Sequence, residues 1–244
     1  AVILECNQVE AHFGWSVASA GDVNGDGYSD VIVGARIWDG TQVDEGAAFI
    51  FHGSATGLSS TPAARLEIGQ AGAWFGSFVA PAGDVNGDGF GDVLVGSWLY
   101  GNGQVEEGGA FLFHGSGNGI QTVPASIFES NQDYAHMGLE SAASAGDVNG
   151  DGYSDVIVGS YEYDHGQVDE GAAFIYHGSV TGVDTFPELM LQGDQDGAWF
   201  GCSVASAGDV DGDGYSDVII GAARYDNGEN NEGVAFIYHG SANG

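Results

Sequence analysis

The stretch GDVNGDGYSDVIVG runs from Gly21 to Gly34 and recurs, letter for letter, from Gly146 to Gly159. It packs three carboxylates into nine residues and then turns at once into an apolar run. Like charges crowded that closely repel, so the stretch needs open solvent or a cation. Its Gly, Asn and Asp content reads as a tight turn, and the Val-Ile-Val that follows reads as a strand.

Working outward, the Asp that opens this loop recurs at Asp22, Asp84, Asp147 and Asp209, with spacings of 62, 63 and 62 residues. The chain is four copies of one unit, and a period of that size signals a repeat architecture. Two further markers keep the same phase. One is QVDEGAAFIFHGS from Gln42, with copies from Gln104 and Gln167 and a degraded one from Glu229; the other is the pair Phe13-Gly14, Phe75-Gly76, Met137-Gly138 and Phe200-Gly201. The extra residue of the third unit falls between Met137 and Asp147, where a bulge is expected to absorb it.

Within a unit, short runs rich in Val, Ile, Phe and Tyr alternate with turn residues, and no helical periodicity is sustained. The first unit predicts strands at roughly 14–20, 30–36, 46–52 and 64–69. The first strand is built of small residues, and its second copy carries Pro81, which suits a strand with one unpaired edge. Together these predict an all-β fold, a β-propeller of four-stranded antiparallel blades with the small-residue strand innermost.

The units run at about 9–70, 71–132, 133–195 and 196–244, in a single domain spanning 1–244. The fourth unit ends one strand short, while the opening AVILECNQ aligns with the outer-strand sequence ARLEIGQ from Ala64. Residues 1–8 are therefore expected to complete the last blade and close the ring, with Cys6 on its outer strand and Cys202 on its inner one. Three strand steps of about 4.8 Å would keep the two thiols outside disulfide range.

Composition narrows the function. Of 244 residues, 43% are apolar, enough for a real core. Against 35 acidic residues stand three arginines and no lysine, for a formal net charge of −32. That balance excludes binding to nucleic-acid phosphates and to anionic lipid surfaces as a default. No apolar stretch is long enough to span a bilayer, so no direct membrane insertion is expected. The start lacks the basic region of a signal peptide and an initiator Met, and reads as a mature or trimmed product.

The repeated loop reads as a metal site. Positions one, three, five, seven and nine are Asp22, Asn24, Asp26, Tyr28 and Asp30 in the first unit. In the second they are Asp84, Asn86, Asp88, Phe90 and Asp92; in the third Asp147, Asn149, Asp151, Tyr153 and Asp155; in the fourth Asp209, Asp211, Asp213, Tyr215 and Asp217. Alternate side-chain oxygens, with the position-seven carbonyl between them, can wrap a hard cation, while Gly25 and Gly27 allow the tight backbone path. An all-oxygen set favours Ca²⁺ at four sites over transition metals, and Mg²⁺ suits it less well because it keeps its waters. The spacing begins like an EF-hand, yet position twelve is Val33 and the segment after it is a strand, so the ninth-position Asp is expected to close the site. A solvated Asp/Asn/Gly turn is the alternative. The four loops hold 13 of the 35 acids, and four calcium ions would bring the formal charge from −32 to −24.

Phe-Gly before the loop, DVNGDGYSD within it and VIVGA after it resemble the FG-GAP repeat of integrin α-subunit propellers and of many secreted bacterial proteins. The resemblance covers all four units. It implies four-stranded blades, calcium between the first and second strands, and a secreted or cell-surface setting. Such propellers usually have seven blades, whereas this chain has four; the complementary ends favour a closed ring.

Other residues carry weaker signals. His52, His114, His177 and His239 recur at the end of the third strand and read as packing or hydrogen-bonding groups held apart by symmetry. Asp44-Glu45, Glu106-Glu107 and Asp169-Glu170 read as a solvated acidic rim, or alternatively as a surface for a cation or basic partner. Trp38, Trp98, Tyr100, Tyr161, Tyr163 and Tyr225 lie in loops where they could pack or stack on a ligand, while Trp15, Trp74 and Trp199 read as fillers between blades. No nucleophile elbow or phosphate loop occurs, and the loop carboxylates are committed to metal.

The expectation is therefore a non-catalytic extracellular binding, adhesion or assembly module. Its partners are protein or carbohydrate at the cell surface or matrix, with a homo-oligomer left open. A carbohydrate-specific lectin and an accessory domain of a secreted hydrolase are the alternatives.

Overall fold

The computed structural model of the chain describes residues 1–139 and 141–244. The first sheet runs β1 (Phe13–Gly21), β2 (Asp30–Ala35), β3 (Ala47–Phe51) and β4 (Ala64–Leu66), in that spatial order. The second repeats it with β5 (Phe75–Gly83), β6 (Asp92–Ser97), β7 (Gly109–Phe113) and β8 (Ser126–Glu129). The third has β9 (Ala142–Gly146), β10 (Asp155–Ser160), β11 (Ala172–Tyr176) and β12 (Leu189–Gln192). The fourth has three strands, β13 (Phe200–Gly208), β14 (Asp217–Ala222) and β15 (Val234–Tyr238). All pairings within the sheets are antiparallel, and no helix occurs among the described residues.

Each sheet is a blade, and the first strands follow one another, β1 beside β5, β5 beside β9 and β9 beside β13. Their small side chains let four backbones converge there. Pro81, in β5, stands opposite Val93 in a strand paired on one side only, so its missing N–H costs no ladder bond. The stretch expected to absorb the third unit's extra residue includes Glu140, which lies outside the described residues; β9 begins at Ala142.

Apolar alternation builds a core at each joint. Ile32 and Ile50 of blade 1 pack with Phe75, Val79 and Val93 of blade 2. Leu94 and Leu112 pack with Val156 and Val158 of blade 3, and Ile157 and Ile175 with Phe200, Val204 and Val218 of blade 4. Burial of each such side chain contributes about 1.5–3 kcal/mol.

Glycines set how close the blades come. A Cβ added at Gly34 would stand 2.1 Å from the Gly76 carbonyl oxygen, and one at Gly159 would stand 2.0 Å from that of Gly201. The Phe-Gly pair of each following blade thus presses its backbone onto the second strand of the blade before.

A side-chain clasp repeats beside these joints. Gln70 donates to the Gly101 carbonyl (2.8 Å) while its own oxygen accepts the Gly101 N–H (3.1 Å). Gln132 with Asp164 and Gln195 with Asp226 do the same, each tying the connector after one blade to the hairpin of the next.

The ends differ from the closed ring expected from the sequence. Residues 1–8 form no strand and do not join β15; Leu4 and Cys6 pack against Val33, Phe49 and Phe51 of blade 1. Gln8 clasps Asp39 as the other glutamines clasp their hairpins (2.8 and 2.7 Å). The segment therefore occupies the place of an outer strand preceding blade 1. The last sheet has three strands, with β15 at its edge. Cys6 accordingly sits beside blade 1, and both cysteines are free.

Candidate metal centre

Each acidic loop links the first and second strands of its blade, and its carboxylates are organised by backbone N–H groups. Asp22 accepts from Gly25 and Asp26 through Oδ1 (2.7 and 3.1 Å) and from Gly27 through Oδ2 (2.8 Å). Asn24 Oδ1 accepts from Asp26 N (3.0 Å), and Asp26 Oδ1 accepts from Tyr28 N (3.0 Å). The same pattern recurs around Asp84 and Asp88, Asp147 and Asp151, and Asp209 and Asp213. Gly25 and Gly27 have φ of 71° and 87°, so the wrap runs through the left-handed region that glycine enters without strain.

The ninth-position acids are fully buried: Asp30, Asp92, Asp155 and Asp217 all have 0% exposure. Each bridges its loop to the end of the third strand. Asp30 takes the N–H of Val23 on Oδ2 (3.0 Å) and that of Gly53 on Oδ1 (2.8 Å); Asp92 takes those of Val85 and Gly115 (both 2.9 Å). Asp155 and Asp217 repeat the bridge. The Gly of each HGS motif is thus a partner that the loop spacing alone does not reveal. A carboxylate oxygen has lone pairs for more than one partner, so these bonds leave room for a cation.

Electrostatics follow from cover. Burial pushes the Asp92 carboxyl up from 3.8 to about 7, against the pull of the Val85 and Gly115 N–H groups. Burial raises Asp155 as well. Asp217 goes the other way, held low first by the Val210 N–H.

The fourth loop brings the most charge together. Carboxylate oxygens of Asp209, Asp211 and Asp213 lie within 4.8 Å of one another. Asp211 and Asp217 also converge with a ring nitrogen of His239, at 3.4 and 3.3 Å. In the first three loops the position-three residue is Asn, whose amide donates to the position-five carboxylate (3.1, 2.9 and 3.1 Å). The donor set is oxygen-rich throughout, which suits a hard cation.

Three of the four position-seven rings pack against the loop before, while Tyr28 is exposed. A ring carbon of Phe90 lies against Gly25 of the loop before, and Tyr153 and Tyr215 lie the same way against Gly87 and Gly150. Next to them, the N–H groups of Gly91, Ser154 and Ser216 donate to the carbonyls of Asp22, Asp84 and Asp147 (2.8, 3.0 and 2.8 Å). Each of the first three loops is therefore gripped by the following blade.

Other residues depart from the sequence reading. The acidic pairs are not a uniform solvated rim: Glu45, Glu107 and Glu170 are buried and accept the N–H groups of Thr41, Asn102 and His165 (2.7, 2.5 and 2.7 Å). Their neighbours Asp44, Glu106 and Asp169 are half-buried, at φ near 50°. Trp15, Trp74 and Trp199 do not fill the joints, a place taken by Phe75, Met137 and Phe200. They line a half-exposed arc in which the Arg36 guanidinium lies 3.3 Å from the Trp15 ring centre and Arg224 lies 3.3 Å from that of Trp199. Trp38, Tyr100, Tyr163 and Tyr225 pack edge-on against Phe49, Phe111, Phe174 and Phe236 at 5.1 to 5.4 Å.

Comparison with known proteins agrees with this architecture. A model described as FG-GAP repeat matches residues 13–51, 141–176 and 200–238, and one described as FG-GAP-like repeat matches 84–158. The integrin alpha-5 of Xenopus laevis is 33% identical over 228 residues, covering 89% of this chain and 20% of that protein. The integrin alpha-V of Gallus gallus is 35% identical over 165 residues, covering 64% and 16%. The chain thus spans about a fifth of the length of the curated relatives it matches. Among solved structures, an exotype rhamnogalacturonan lyase, YesX, aligns with a TM-score of 0.48 at 18% identity, over 82% of this chain and 37% of that one. With its Phe-Gly pairs at the blade joints, its acidic loops in phase and those family models falling on all four units, the chain belongs to the FG-GAP repeat family.

Proposed function

We propose that this chain is a calcium-stabilised, non-catalytic propeller segment that serves as a binding or adhesion module outside the cell or at its surface. The observation that carries the calcium part is the wrapped geometry of the loops. Their backbone N–H groups already fix the carboxylates at positions one and five, while the repulsion among the loop acids is left for a cation to neutralise. The residues that would hold Ca²⁺ are the side chains at positions one, three, five and nine and the position-seven carbonyl. In the first loop these are Asp22, Asn24, Asp26, Asp30 and Tyr28.

Similarity to integrin alpha chains supports a protein partner at the cell surface. The net charge of −32 favours a partner that is basic or bridged by divalent ions. A carbohydrate partner is the second reading, favoured by Trp15, which is 47% exposed at the end of the aromatic arc.

Calorimetric titration of chelator-treated protein tests the metal part. Saturable calcium binding with a raised melting temperature is expected, because a ligand that binds only the folded state stabilises it by mass action. An unchanged melting curve at saturating calcium would remove it. Binding of immobilised extracellular proteins against a glycan array separates the two partner readings.

A further inference from the structure

We propose that Asn102-Gly103, at the tip of the hairpin between β6 and β7, is a self-modification site. The Gly103 nitrogen closes on the Asn102 side chain and expels ammonia, and the carboxylate that results loosens the joint between blades 2 and 3. The evidence is one dipeptide that the fold places in several settings, together with the groups that Asn102 touches.

The reaction needs only water. The Gly103 nitrogen bonds the side-chain carbonyl carbon of Asn102, the bond from that carbon to Nδ2 breaks, and ammonia leaves with the Gly103 amide proton. Water then opens the cyclic imide on one side or the other, to aspartate or to isoaspartate. Two conditions govern the step. The attacking nitrogen must belong to a residue with no side chain to crowd it, and that N–H and the asparagine amide must be free to meet.

Asn-Gly occurs at Asn24, Asn86, Asn102, Asn118, Asn149, Asn227 and Asn243. In the first and third acidic loops the Gly25 and Gly150 N–H groups donate to Asp22 and Asp147 (both 2.7 Å). The Asn24 and Asn149 amides are held at both ends by Asp26 and Asp151. Asn86 is held the same way by Asp88, with the Tyr153 ring over Gly87. In the turns after the third strands, the Gly119 and Gly244 N–H groups donate to the Ser116 and Ser241 carbonyls (both 2.7 Å). The hairpin is different. Asn102 and Gly103 are both exposed, Gly103 has nothing within 4 Å of a Cβ built on it, and among the described residues no group accepts its N–H. One exposed bond, from Nδ2 to Glu129 Oε1 (2.9 Å), holds the amide. Gly40, His165 and Asn227 stand at the same place in the other hairpins and are exposed as well, so the exposure belongs to the hairpin itself. Asn227-Gly228 brings the dipeptide to that place a second time.

The neighbours of Asn102 give the change its effect. Its backbone N–H donates to Glu107 (2.5 Å) and its amide to Glu129, so one residue supplies donors to two carboxylates. Glu107 is fully buried. Burial raises its carboxyl, the Asn102 N–H is the strongest pull the other way, and Glu129 and Asp133 push it further up. Aspartate at this position replaces the amide donor with another carboxylate, and isoaspartate also adds a carbon to the main chain of the tip. The hairpin carries the next joint directly: the Glu107 carbonyl accepts the Met137 N–H (2.8 Å), and a Cβ built on Gly108 would stand 2.5 Å from the Met137 nitrogen. Carboxylates gathered at that range repel one another, and the hairpin relieves them by drawing away from blade 3.

Peptide mapping by mass spectrometry tests the site, on the whole chain held with calcium in mildly alkaline buffer and sampled over days. Asn102 should convert to aspartate and isoaspartate on the order of tenfold faster than Asn24, Asn86, Asn118 and Asn149, because its glycine nitrogen is both uncrowded and unbonded. Equal rates, or a faster change in the acidic loops, overturn the proposal. Amide hydrogen exchange tests the effect on the joint. In Asn102→Asp and in the aged wild type, the Met137 amide should exchange on the order of tenfold faster than in fresh protein, as expected of a locally loosened joint. Asn102→Gln, which keeps an amide but closes the imide far more slowly, should hold the slow exchange when aged alongside. A Met137 amide that exchanges no faster in the aged wild type than in fresh protein overturns the loosening, whether or not Asn102→Asp folds.

Discussion

The second and fourth acidic loops share their spacing and differ in what covers them. Around the second, Tyr153 lies on Gly87, Ser154 bonds the Asp84 carbonyl, and burial lifts the Asp92 carboxyl to about 7. Around the fourth, Gly212 is bare, His239 turns toward Asp211 and Asp217, and the Val210 N–H holds Asp217 low. The same motif thus carries opposite electrostatic shifts. Burial beneath the neighbouring blade dominates at Asp92, whereas an N–H of the loop itself dominates at Asp217.

The joint gives the largest test of that contrast. Gly96→Ala would drive a Cβ to 2.4 Å from the Gly138 carbonyl oxygen. It should cost about 3 kcal/mol in urea unfolding. In the fourth blade, Gly221→Ala meets only ordinary contacts within its own blade, and should change stability by less than about 0.5 kcal/mol. Equal costs would break the comparison.

Next in size is the ninth-position acid. Asp92→Ala leaves the Val85 and Gly115 N–H groups without their acceptor beneath a covering blade, and should cost about 2–4 kcal/mol. Asp217→Ala, in the loop that no following blade covers, should cost less by the same urea measurement. The position-seven ring follows: Phe90→Ala should cost about 1–2 kcal/mol, against less than about 0.5 for the exposed Tyr28→Ala.

The smallest effect is the pH dependence of the calcium-free protein. Folded Asp92 keeps its proton between 3.8 and about 7, where the unfolded chain has released it. That contribution to stability is full below about 4 and is lost as pH rises toward 7. Asp155 acts in the same sense. Asp217, held low, contributes with the opposite sign, being present above the ordinary carboxylate range and lost on acidification. Melting temperatures across pH 4 to 7 should therefore fall for the wild type and fall less steeply in Asp92→Asn, where Asp155 still acts, with Asp217→Asn leaving the fall in place.

Much of this fold was legible in the chain because the period repeats every signal four times. The strands, the small-residue inner edge and Pro81 fell where the pattern put them. The buried glutamates did not, since Asp44 and Glu45 are both acids in one turn. They are told apart by a left-handed φ at Asp44 and by the Glu45 carbonyl, which accepts the Phe75 N–H of the next blade (2.9 Å). The loop acids could be picked out by spacing, whereas the bridge from Asp30 to Gly53 spans 23 residues and leaves no local mark. The place of the N-terminal segment was not legible for a related reason. Its sequence resembles an outer strand, and only its packing against Val33, Phe49 and Phe51 and the Gln8 clasp place it beside blade 1.

The glutamine clasps have a mechanical consequence. A primary amide both donates and accepts, so one side chain grips a backbone hairpin at two points, which a carboxylate at that place could not do. Tension entering through a connector therefore reaches the next hairpin directly and spreads over the stack before it can peel an outer strand away. That wiring would let pulling force run along the repeats as through links.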